Sequence, residues 1–397
     1  MLLSLALILI IGFVLSGVFQ KLKLPGLLGM LMTGIFLGPY VLGLIDGEIL
    51  NISSELRQMA LIVILTRAGL ALDIKDLKKV GRPAILMCFV PATCEILAIM
   101  VLAPLFFGMS YIEAAIMGAV LAAVSPAVIV PRMLRLMEGG YGKEKSIPQL
   151  IMAGASVDDI YVIILFTSFL SMYQGEGFDA KSLIHVPIAI VSGLVVGIIG
   201  GIILLKLFKK IHMRDTVKIL MILSMAFLFV SAETFIQAYF PMSGLLAVMA
   251  LGGTLLKGYE VLAKRLSGKF SKIWVGAEML LFVLVGAAVD ISYVGSVGLA
   301  AVLLIVCALI FRIAGVFLCL LKTKLSVKER LFCAIAYLPK ATVQAAIGAI
   351  PLASGVKAGD TILAVAVLAI MITAPLGAIG VDVSYKKWLH RTSIKTY

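Results

Sequence analysis

Charged side chains are scarce in this chain. Asp, Glu, Lys and Arg make up 14% of its 397 residues, whereas 62% are hydrophobic. Soluble domains are about a quarter charged and about half apolar, so the composition excludes an ordinary soluble protein. No long polar block interrupts the sequence, which excludes a large catalytic domain outside a membrane. The mean hydropathy of +1.15 places nearly the whole chain in a lipid bilayer.

Cysteine is also rare. All five cysteines lie within or at the edge of apolar runs, and none forms a C-x-x-C pair. An odd number of cysteines in this arrangement excludes a disulfide framework and gives no sign of a structural zinc site. They are Cys88, Cys94, Cys307, Cys319 and Cys333.

Long apolar runs fill the chain. A membrane-spanning helix needs about 20 predominantly apolar residues, and runs bounded by charges or by Gly and Pro predict about 13 such helices in an all-α polytopic membrane protein. The predicted spans are 2–20, 27–45, 52–74, 81–107, 112–135, 147–173, 183–208, 215–239, 241–257, 270–291, 294–321, 330–353 and 359–383.

The basic residues divide sharply between the two sides of this arrangement. Of the 34 Lys and Arg residues, 28 follow the odd-numbered spans. By the positive-inside rule the N-terminus is outside and the C-terminus is cytoplasmic. The net charge of +13 therefore reflects topology and attraction to membrane lipid, and predicts no nucleic-acid partner. The six others are Arg57, Lys181 and Lys357, on the opposite side, and Arg67, Arg312 and Lys340, within spans.

The first span has no basic residue before it and no small-residue cleavage site, so we expect a retained helix and not a signal peptide. We expect a short cytoplasmic tail at 384–397. A compact chain of this kind indicates a plasma membrane, in particular a bacterial inner membrane.

Helix breakers stand at the centres of the fifth and twelfth spans. They are Ser125-Pro126 and Pro339-Lys340, and a broken helix in a bilayer frees backbone groups that need partners or ions. Because the two spans differ by seven, equivalent helices run in opposite directions. This predicts an inverted six-helix repeat, with spans 1–6 (2–173) against spans 8–13 (215–383) and span 7 (183–208) as the linker. The simpler reading is that Pro is common in membrane helices.

Eight ionisable residues lie deep in the predicted spans, where their cost makes each a functional candidate. Asp158 and Asp159 are adjacent, about 100° apart on a helix, so at least one must line a polar cavity. Two neighbouring carboxylates at low dielectric do not both stay ionised unaided, and such a pair is suited to exchange a proton for a cation. The eight are Arg67, Glu95, Asp158, Asp159, Glu233, Glu278, Arg312 and Lys340.

Oxygen ligands for a small alkali ion are available around the pair. Hard cations prefer oxygen, and the candidates besides Asp158 and Asp159 are carbonyls freed at the two breaks and the side chains of Ser125, Ser156, Thr342 and Gln344. Lys340, beside the second break, is placed to compensate a carboxylate when no cation is bound.

Glu95 and Arg312 fall on helices that are equivalent under the seven-helix offset. An ion pair between the halves is expected, either as a scaffold or as a coupling element. We interpret Glu233 and Glu278 as structural or peripheral, and the role of Arg67 is open. The glycine-rich stretches 26–38 and 193–201 suit close helix packing, and the second suits a dimer face equally well.

Four segments together resemble the monovalent cation/proton antiporter superfamily, in particular the sodium/proton antiporters of the NHA branch with an Asp-Asp pair. They span most of the chain, and their order and spacing are specific. The segments are Leu24-Pro25-Gly26-Leu27-Leu28-Gly29-Met30-Leu31, Val124-Ser125-Pro126-Ala127-Val128-Ile129-Val130-Pro131, Ser156-Val157-Asp158-Asp159-Ile160 and Leu338-Pro339-Lys340-Ala341-Thr342-Val343-Gln344-Ala345-Ala346.

The resemblance implies a 13-helix fold with two broken crossing helices, a dimerisation domain and a mobile core domain, working by elevator-type alternating access. It implies that Asp159 is the essential ion-binding carboxylate and Asp158 its partner. Ser125 and Pro126 correspond to the unwound stretch, with Thr342 and Gln344 in the other crossover segment. Lys340 corresponds to a cation that stabilises the crossover and can pair with an aspartate.

Arg312 stands where many Asp-Asp antiporters have a lysine. The Asp-Asp pair resembles electrogenic exchangers, whereas an arginine at this position is typical of electroneutral ones. Because Arg does not release its proton, Arg312 is no proton carrier, and the stoichiometry stays open between these alternatives.

The sequence thus predicts a transporter and not an enzyme. We expect a homodimer that exchanges Na⁺ or Li⁺ for H⁺, with no cofactor and no obligate protein partner. The alternatives are a K⁺/H⁺ antiporter, a sodium-coupled organic anion symporter, and a gated channel or sensor. An intramembrane aspartyl protease is disfavoured, because it needs its two carboxylates on different helices.

Overall fold

The computed structural model describes residues 1–71, 81–176, 180–236, 240 and 242–391. The regular structure in these ranges is helical, with one isolated antiparallel bridge between Tyr141 and Arg391. The helices are α1 (Leu2–Lys21), α2 (Gly26–Leu37), α3 (Gly47–Asn51), α4 (Ser53–Ala71), α5 (Arg82–Met87), α6 (Val90–Phe107), α7 (Tyr111–Ala122), α8 (Pro126–Glu138), α9 (Ile147–Ser171), α10 (Ala180–Lys210), α11 (Asp215–Ile236), α12 (Gly244–Gly258), α13 (Glu260–Ala287), α14 (Ile291–Cys319), α15 (Val327–Ala336), α16 (Thr342–Ile347), α17 (Ile350–Ala353) and α18 (Gly359–Trp388).

Eight helices in the described ranges are long and apolar enough to cross a membrane, and four shorter helices are also apolar. The prediction of an all-helical membrane protein is therefore confirmed. The predicted ends of the third and eighth spans and residues 392–397 of the predicted tail lie outside the described residues.

Two predicted boundaries are wrong. The second span was expected over 27–45, but α2 ends at Leu37 and a loop leads to α3, whose first turn is capped by the Asp46 carboxylate at 3.0 Å from the Glu48 amide. The tenth span was expected from residue 270, but α13 begins at Glu260. Its first turns carry charges such as the Glu260–Lys264 pair, so an apolar run misses them.

Polar caps define the starts of two helices. Ser110 and Glu113 form a reciprocal capping box at the start of α7, and Ser326 and Glu329 form another at the start of α15. In a capping box the two side chains satisfy backbone amides that have no partner within the helix. These two caps fix where the helices bearing the breaks begin.

The described chain forms two compact units. Unit 1 comprises Met1–Ile52, Asp73–Tyr173 and Phe282–Tyr397. Within it α6 packs on α7 and α14, α7 and α8 pack on α9, and α15 to α17 pack on α18. Both predicted helix breaks and the adjacent aspartates belong to this unit.

Unit 2 comprises Ser53–Leu72 and Gln174–Leu281. Its helix α12 packs on α4, α10 and α11. Gly193, Gly197 and Gly201 of α10 face Ser243, Ala247 and Thr254 or its neighbours so closely that a Cβ atom at any of them would meet these atoms. The glycine-rich stretch 193–201 thus serves close packing within one chain.

Candidate ion-binding site

The two interrupted helices meet through their backbones. Residues 123–125 are not helical, and α8 resumes at Pro126, which has no N–H to leave unpaired. The second interruption separates α15 from α16, and the Pro339 carbonyl within it accepts a 2.7 Å hydrogen bond from the Ser125 amide. The hydroxyls of Ser125 and Thr342 are 3.5 Å apart. The breaks therefore lie against each other as the breaker pattern predicts.

Asp158 of α9 lies directly beside this meeting point and is fully buried. Its Oδ2 accepts hydrogen bonds from the Val124 amide at 2.9 Å and from Nη2 of Arg312 at 3.1 Å. Its Oδ1 is buried and has no hydrogen-bond partner. One oxygen of this carboxylate is thus fixed by the first break, and the other remains open to a ligand.

Arg312 of α14 connects two carboxylates and two helix ends. Its Nη1 lies 2.8 Å from Oε2 of Glu95, and Nη2 contacts Asp158 as described. Nε donates to the Tyr337 carbonyl at 2.6 Å, and Nη1 also donates to the Ala122 carbonyl. These carbonyls belong to residues at the ends of α15 and α7, where the helix dipole is negative and favours a cation.

Lys340 lies in the second break and is almost completely buried. Its Nζ is 2.7 Å from Oε1 of Glu95 and donates to the Leu121 carbonyl. Its backbone amide donates to the Thr373 hydroxyl at 2.9 Å. Lys340 therefore bridges the two breaks, and its ion-pair partner in this structure is Glu95 and not an aspartate.

Gln344 of α16 holds the first break from the opposite side. Its Nε2 donates to the carbonyls of Leu121 and Ala123 at 3.2 and 2.9 Å. Two carbonyl neighbours require the NH₂ end of the amide to face them, which leaves the buried Oε1 without a partner. The peptide between Ala123 and Val124 is thus bound at both ends, its C=O by Gln344 and its N–H by Asp158.

Asp159 differs from its neighbour. Its side chain is half-buried, and its Oδ1 is buried without a hydrogen-bond partner. Ser156 lies one turn earlier on α9, and its side chain is outside the described part of the structure. Three oxygens with no protein partner, on Asp158, Asp159 and Gln344, thus belong to this region.

Two participants were not found by sequence reasoning. Tyr337 supplies the carbonyl that binds Arg312, and its ring centroid lies 5.6 Å from the guanidinium carbon. Thr373 holds the Lys340 backbone from α18. The position of Tyr337 just before Leu338-Pro339 was the one signal available, whereas nothing in the sequence distinguishes Thr373 from other threonines in spans.

Comparison with known proteins gives the family of this chain. The family described as sodium/hydrogen exchanger, transmembrane, matches residues 4–383. Sodium/hydrogen exchanger 9B2 of Mus musculus is 34% identical over 390 residues, covering 94% of this chain and 70% of that protein. Sodium/hydrogen exchanger 9B1 of Homo sapiens is 33% identical over 390 residues, covering 93% of this chain and 73% of that protein.

A solved structure also has this fold. The sodium proton antiporter MjNhaP1 from Methanocaldococcus jannaschii matches with a TM-score of 0.85, covering 97% of both chains at 22% sequence identity. At this identity the likeness concerns the fold alone. Together with the matched family and its 9B relatives, it establishes that this chain is a multi-pass membrane protein of the sodium/hydrogen exchanger family.

Proposed function

We propose that this antiporter exchanges Na⁺ or Li⁺ for H⁺ by competitive binding at Asp158 and Asp159. The observation that carries the proposal is a balance of charge among buried side chains. Arg312 forms ion pairs with Glu95 and Asp158, and Lys340 forms one with Glu95, so this cluster holds two carboxylates and two cations. Asp159 is the additional carboxylate, and a proton or a cation neutralises it.

The two states of this carboxylate account for exchange. An ionised Asp159 attracts an alkali ion, whereas a protonated Asp159 is neutral and has no such attraction. Because an isolated charge in a membrane interior costs several kcal/mol, the ion and the proton compete for one position. Binding of one therefore promotes release of the other.

The unpaired oxygens supply the coordination. Oδ1 of Asp158, Oδ1 of Asp159 and Oε1 of Gln344 are buried and have no hydrogen-bond partner. Oxygen atoms of this kind suit a hard monovalent cation. Ser125, Thr342 and the side chain of Ser156 are further ligands in this proposal.

Arg312, Glu95 and Lys340 act as the fixed framework. Arg312 keeps its charge throughout the cycle, so it holds Asp158 and both helix ends without taking part in proton transfer. Lys340 compensates Glu95 and ties the second break to the first. This assignment makes Asp159, and not the arginine, the group that changes its charge.

Transport further requires that the site open to each side in turn. We propose an elevator-type movement of a core domain in a homodimer in the plasma membrane, with the N-terminus outside and the C-terminus in the cytoplasm. We also propose that residues 2–173 and 215–383 form the inverted repeats. No further protein partner is needed for this cycle.

Proton movement in proteoliposomes tests the assignment. We expect Na⁺ and Li⁺ to drive proton flux in the wild type and Asp159→Asn to abolish it. Glu278→Gln is the matched control, because it also neutralises a half-buried carboxylate but in unit 2. Full flux in Asp159→Asn would refute the site, and flux driven by K⁺ alone would reassign the cation. Sodium-driven uptake of an organic anion without proton movement would instead identify a symporter.

Clamping the membrane potential in the same vesicles addresses the stoichiometry. Flux that responds to the clamp indicates net charge movement, and flux that does not respond indicates electroneutral exchange. The first outcome requires a second proton carrier besides Asp159. Asp158 and Lys340 are the candidates, since Arg312 keeps its proton, and in that case Lys340 does not belong to the fixed framework.

A further inference from the structure

A cavity of about 160 Å³ lies in unit 1 between the end of α8 and the end of α18. It shares no lining residue with the ion-binding site. Arg132 and Arg135 of α8 line one side, and Asp382 and Tyr385 of α18 line the other, with Tyr141 beside them. Arginine and tyrosine side chains make this cavity rich in hydrogen-bond donors.

Backbone contacts hold the walls of the cavity together. The Gly142 amide donates to the His390 carbonyl at 2.9 Å, and Tyr141 and Arg391 form an antiparallel bridge. The rings of Tyr141 and Tyr385 meet edge to face with centroids 4.9 Å apart. The segment that follows α18 is thereby fastened to the loop that follows α8, so the cavity has defined walls.

Positive charge dominates the surroundings of the cavity. Arg391 lies over the Tyr141 ring at 5.5 Å, and Lys386 lies over the Tyr385 ring at 5.8 Å. With the two lining arginines they give four cations among the side chains described here, against the carboxylate of Asp382. That carboxylate is half exposed and lies 3.3 Å from Nε of Arg132.

Cations at the C-terminal ends of α8 and α18 are expected from the helix dipole alone. A capping role, however, requires neither a cavity nor tyrosine hydroxyls beside the guanidinium groups. Guanidinium groups match the oxygens of phosphate in a bidentate geometry, and basic pockets between membrane helices suit lipid headgroups.

We propose that this cavity binds a phosphate group, carried either by the headgroup of an anionic phospholipid or by free phosphate. Arg132 and Arg135 are the main ligands, with the tyrosine hydroxyls as additional donors. Asp382 opposes the anion and competes with it for Arg132. The site would join α8, the helix that begins at the first break, to α18.

Thermal unfolding of the full-length protein in detergent micelles tests the proposal. The added probes are phosphatidylglycerol against phosphatidylcholine, and inorganic phosphate against chloride at equal ionic strength. We expect a larger rise in Tm with phosphatidylglycerol than with phosphatidylcholine, or with inorganic phosphate than with chloride. A response to phosphatidylglycerol alone identifies a headgroup site, and a response to inorganic phosphate as well identifies a site open to free phosphate.

Two variants of opposite effect make the test specific. Arg135→Gln changes an exposed side chain and should lower the rise in Tm by at least half. Asp382→Asn should strengthen the response, so that about threefold less anion gives the half-maximal shift, as expected for a partly exposed neighbouring charge. Arg214→Gln, which removes an exposed arginine in unit 2, is the matched control and should leave the response unchanged.

The proposal fails if the wild type responds equally to phosphatidylglycerol and phosphatidylcholine and also equally to inorganic phosphate and chloride. It also fails if Arg214→Gln lowers the response as much as Arg135→Gln does, since the effect then follows net charge alone. An unchanged response in Asp382→Asn would likewise place the anion elsewhere.

Discussion

Units 1 and 2 both carry ionisable groups within apolar helices, but they hold them in different ways. In unit 1, Arg312, Glu95, Lys340 and Asp158 form one connected cluster of ion pairs at two interrupted helices. In unit 2, Arg67 and Glu278 are only half-buried, whereas all four members of that cluster are buried. Glu233 there accepts a hydrogen bond from the Gly244 amide at 2.9 Å.

The difference follows from the backbone. An unbroken helix satisfies its own amides and carbonyls, so few charges are needed in it. An interrupted helix leaves carbonyls at its ends that must find donors in a membrane. In unit 1 the carbonyls of Leu121, Ala122 and Tyr337 receive these donors from Lys340, Gln344 and Arg312. The break thus requires the charges, and the charges in turn hold an aspartate beside it.

Removing the central cation is the severest test of this comparison. Arg312→Gln leaves Glu95 and Asp158 without their common partner and two carbonyls with a weaker donor. Breaking a buried ion pair on one side costs about 3–5 kcal/mol, so we expect a large fall in Tm in detergent and loss of transport. Arg67→Gln is the matched control in unit 2. We expect it to lower the free energy of unfolding by only about 1 kcal/mol, because that side chain is half-buried.

Equal destabilisation by these two substitutions would contradict the comparison, because it would mean that the broken helices give the arginine no special role. Arg312→Lys sharpens the same point. A lysine keeps the charge but lacks the planar fork that reaches several acceptors at once, so we expect it to restore only part of the lost stability.

The packing of α10 on α12 in unit 2 should be sensitive to bulk. A Cβ atom at Gly197 of α10 would meet the backbone of Ala247 on α12. Overpacking of this kind costs about 1–3 kcal/mol, so Gly197→Leu should lower Tm substantially. Gly295→Leu on α14 is the control, since a Cβ atom there meets nothing within 4 Å. The same fall in Tm for both would show that α10 and α12 do not depend on close packing.

The sequence predicted the fold and the positions of the two helix breaks, for separate reasons. Long apolar runs are strong signals, and Ser125-Pro126 and Pro339-Lys340 marked the two breaks because proline cannot continue a helix. The predicted end of α2 and the predicted start of α13 were wrong. The loop that begins at Gly38 is itself largely apolar, so the hydrophobic run continues past the end of α2. The first turns of α13 are charged, so the hydrophobic run begins later than the helix.

Partners within the site were harder to predict than its members. The offset of seven spans paired Glu95 with Arg312, and these residues lie 2.8 Å apart. The hydrogen bonds from Arg312 and Gln344 to backbone carbonyls depend on how the two breaks cross. Every residue has a backbone carbonyl, so the sequence does not show which carbonyl will be the acceptor. The roles of Asp158 and Asp159 in transport remain predictions.

A substitution of Gln344 tests whether the peptide between Ala123 and Val124, which Gln344 and Asp158 bind, matters for ion binding. Gln344→Ala removes two hydrogen bonds to the first break and one unpaired oxygen, while leaving every ion pair in place. A loss of about 1.4 kcal/mol, typical of a buried hydrogen bond, corresponds to a tenfold rise in KM for Na⁺. Gln149→Ala is the control, because that glutamine also has an unpaired buried oxygen but lies near the start of α9. An equal change in KM in both variants would show that Gln344 has no specific role in ion binding.

The smallest effect concerns a charge outside the spans, at the capping box of α15. Burial of Glu329 opposes its ionisation, but Lys145 at 2.8 Å and the Ser326 amide outweigh this and hold the pKa of Glu329 below its ordinary value of 4.5. A lowered pKa stabilises the fold above pH 4.5, and this contribution disappears as the pH falls through the pKa of the folded state. Glu329→Gln can keep the capping hydrogen bonds but removes the charge that pairs with Lys145. It should therefore cost about 1 kcal/mol at pH 7, as for a partly exposed ion pair, and much less at pH 3. A difference in Tm between wild type and variant that is constant over this range would show that the charge contributes nothing, and that even in unit 1 ion pairs matter only at the broken helices.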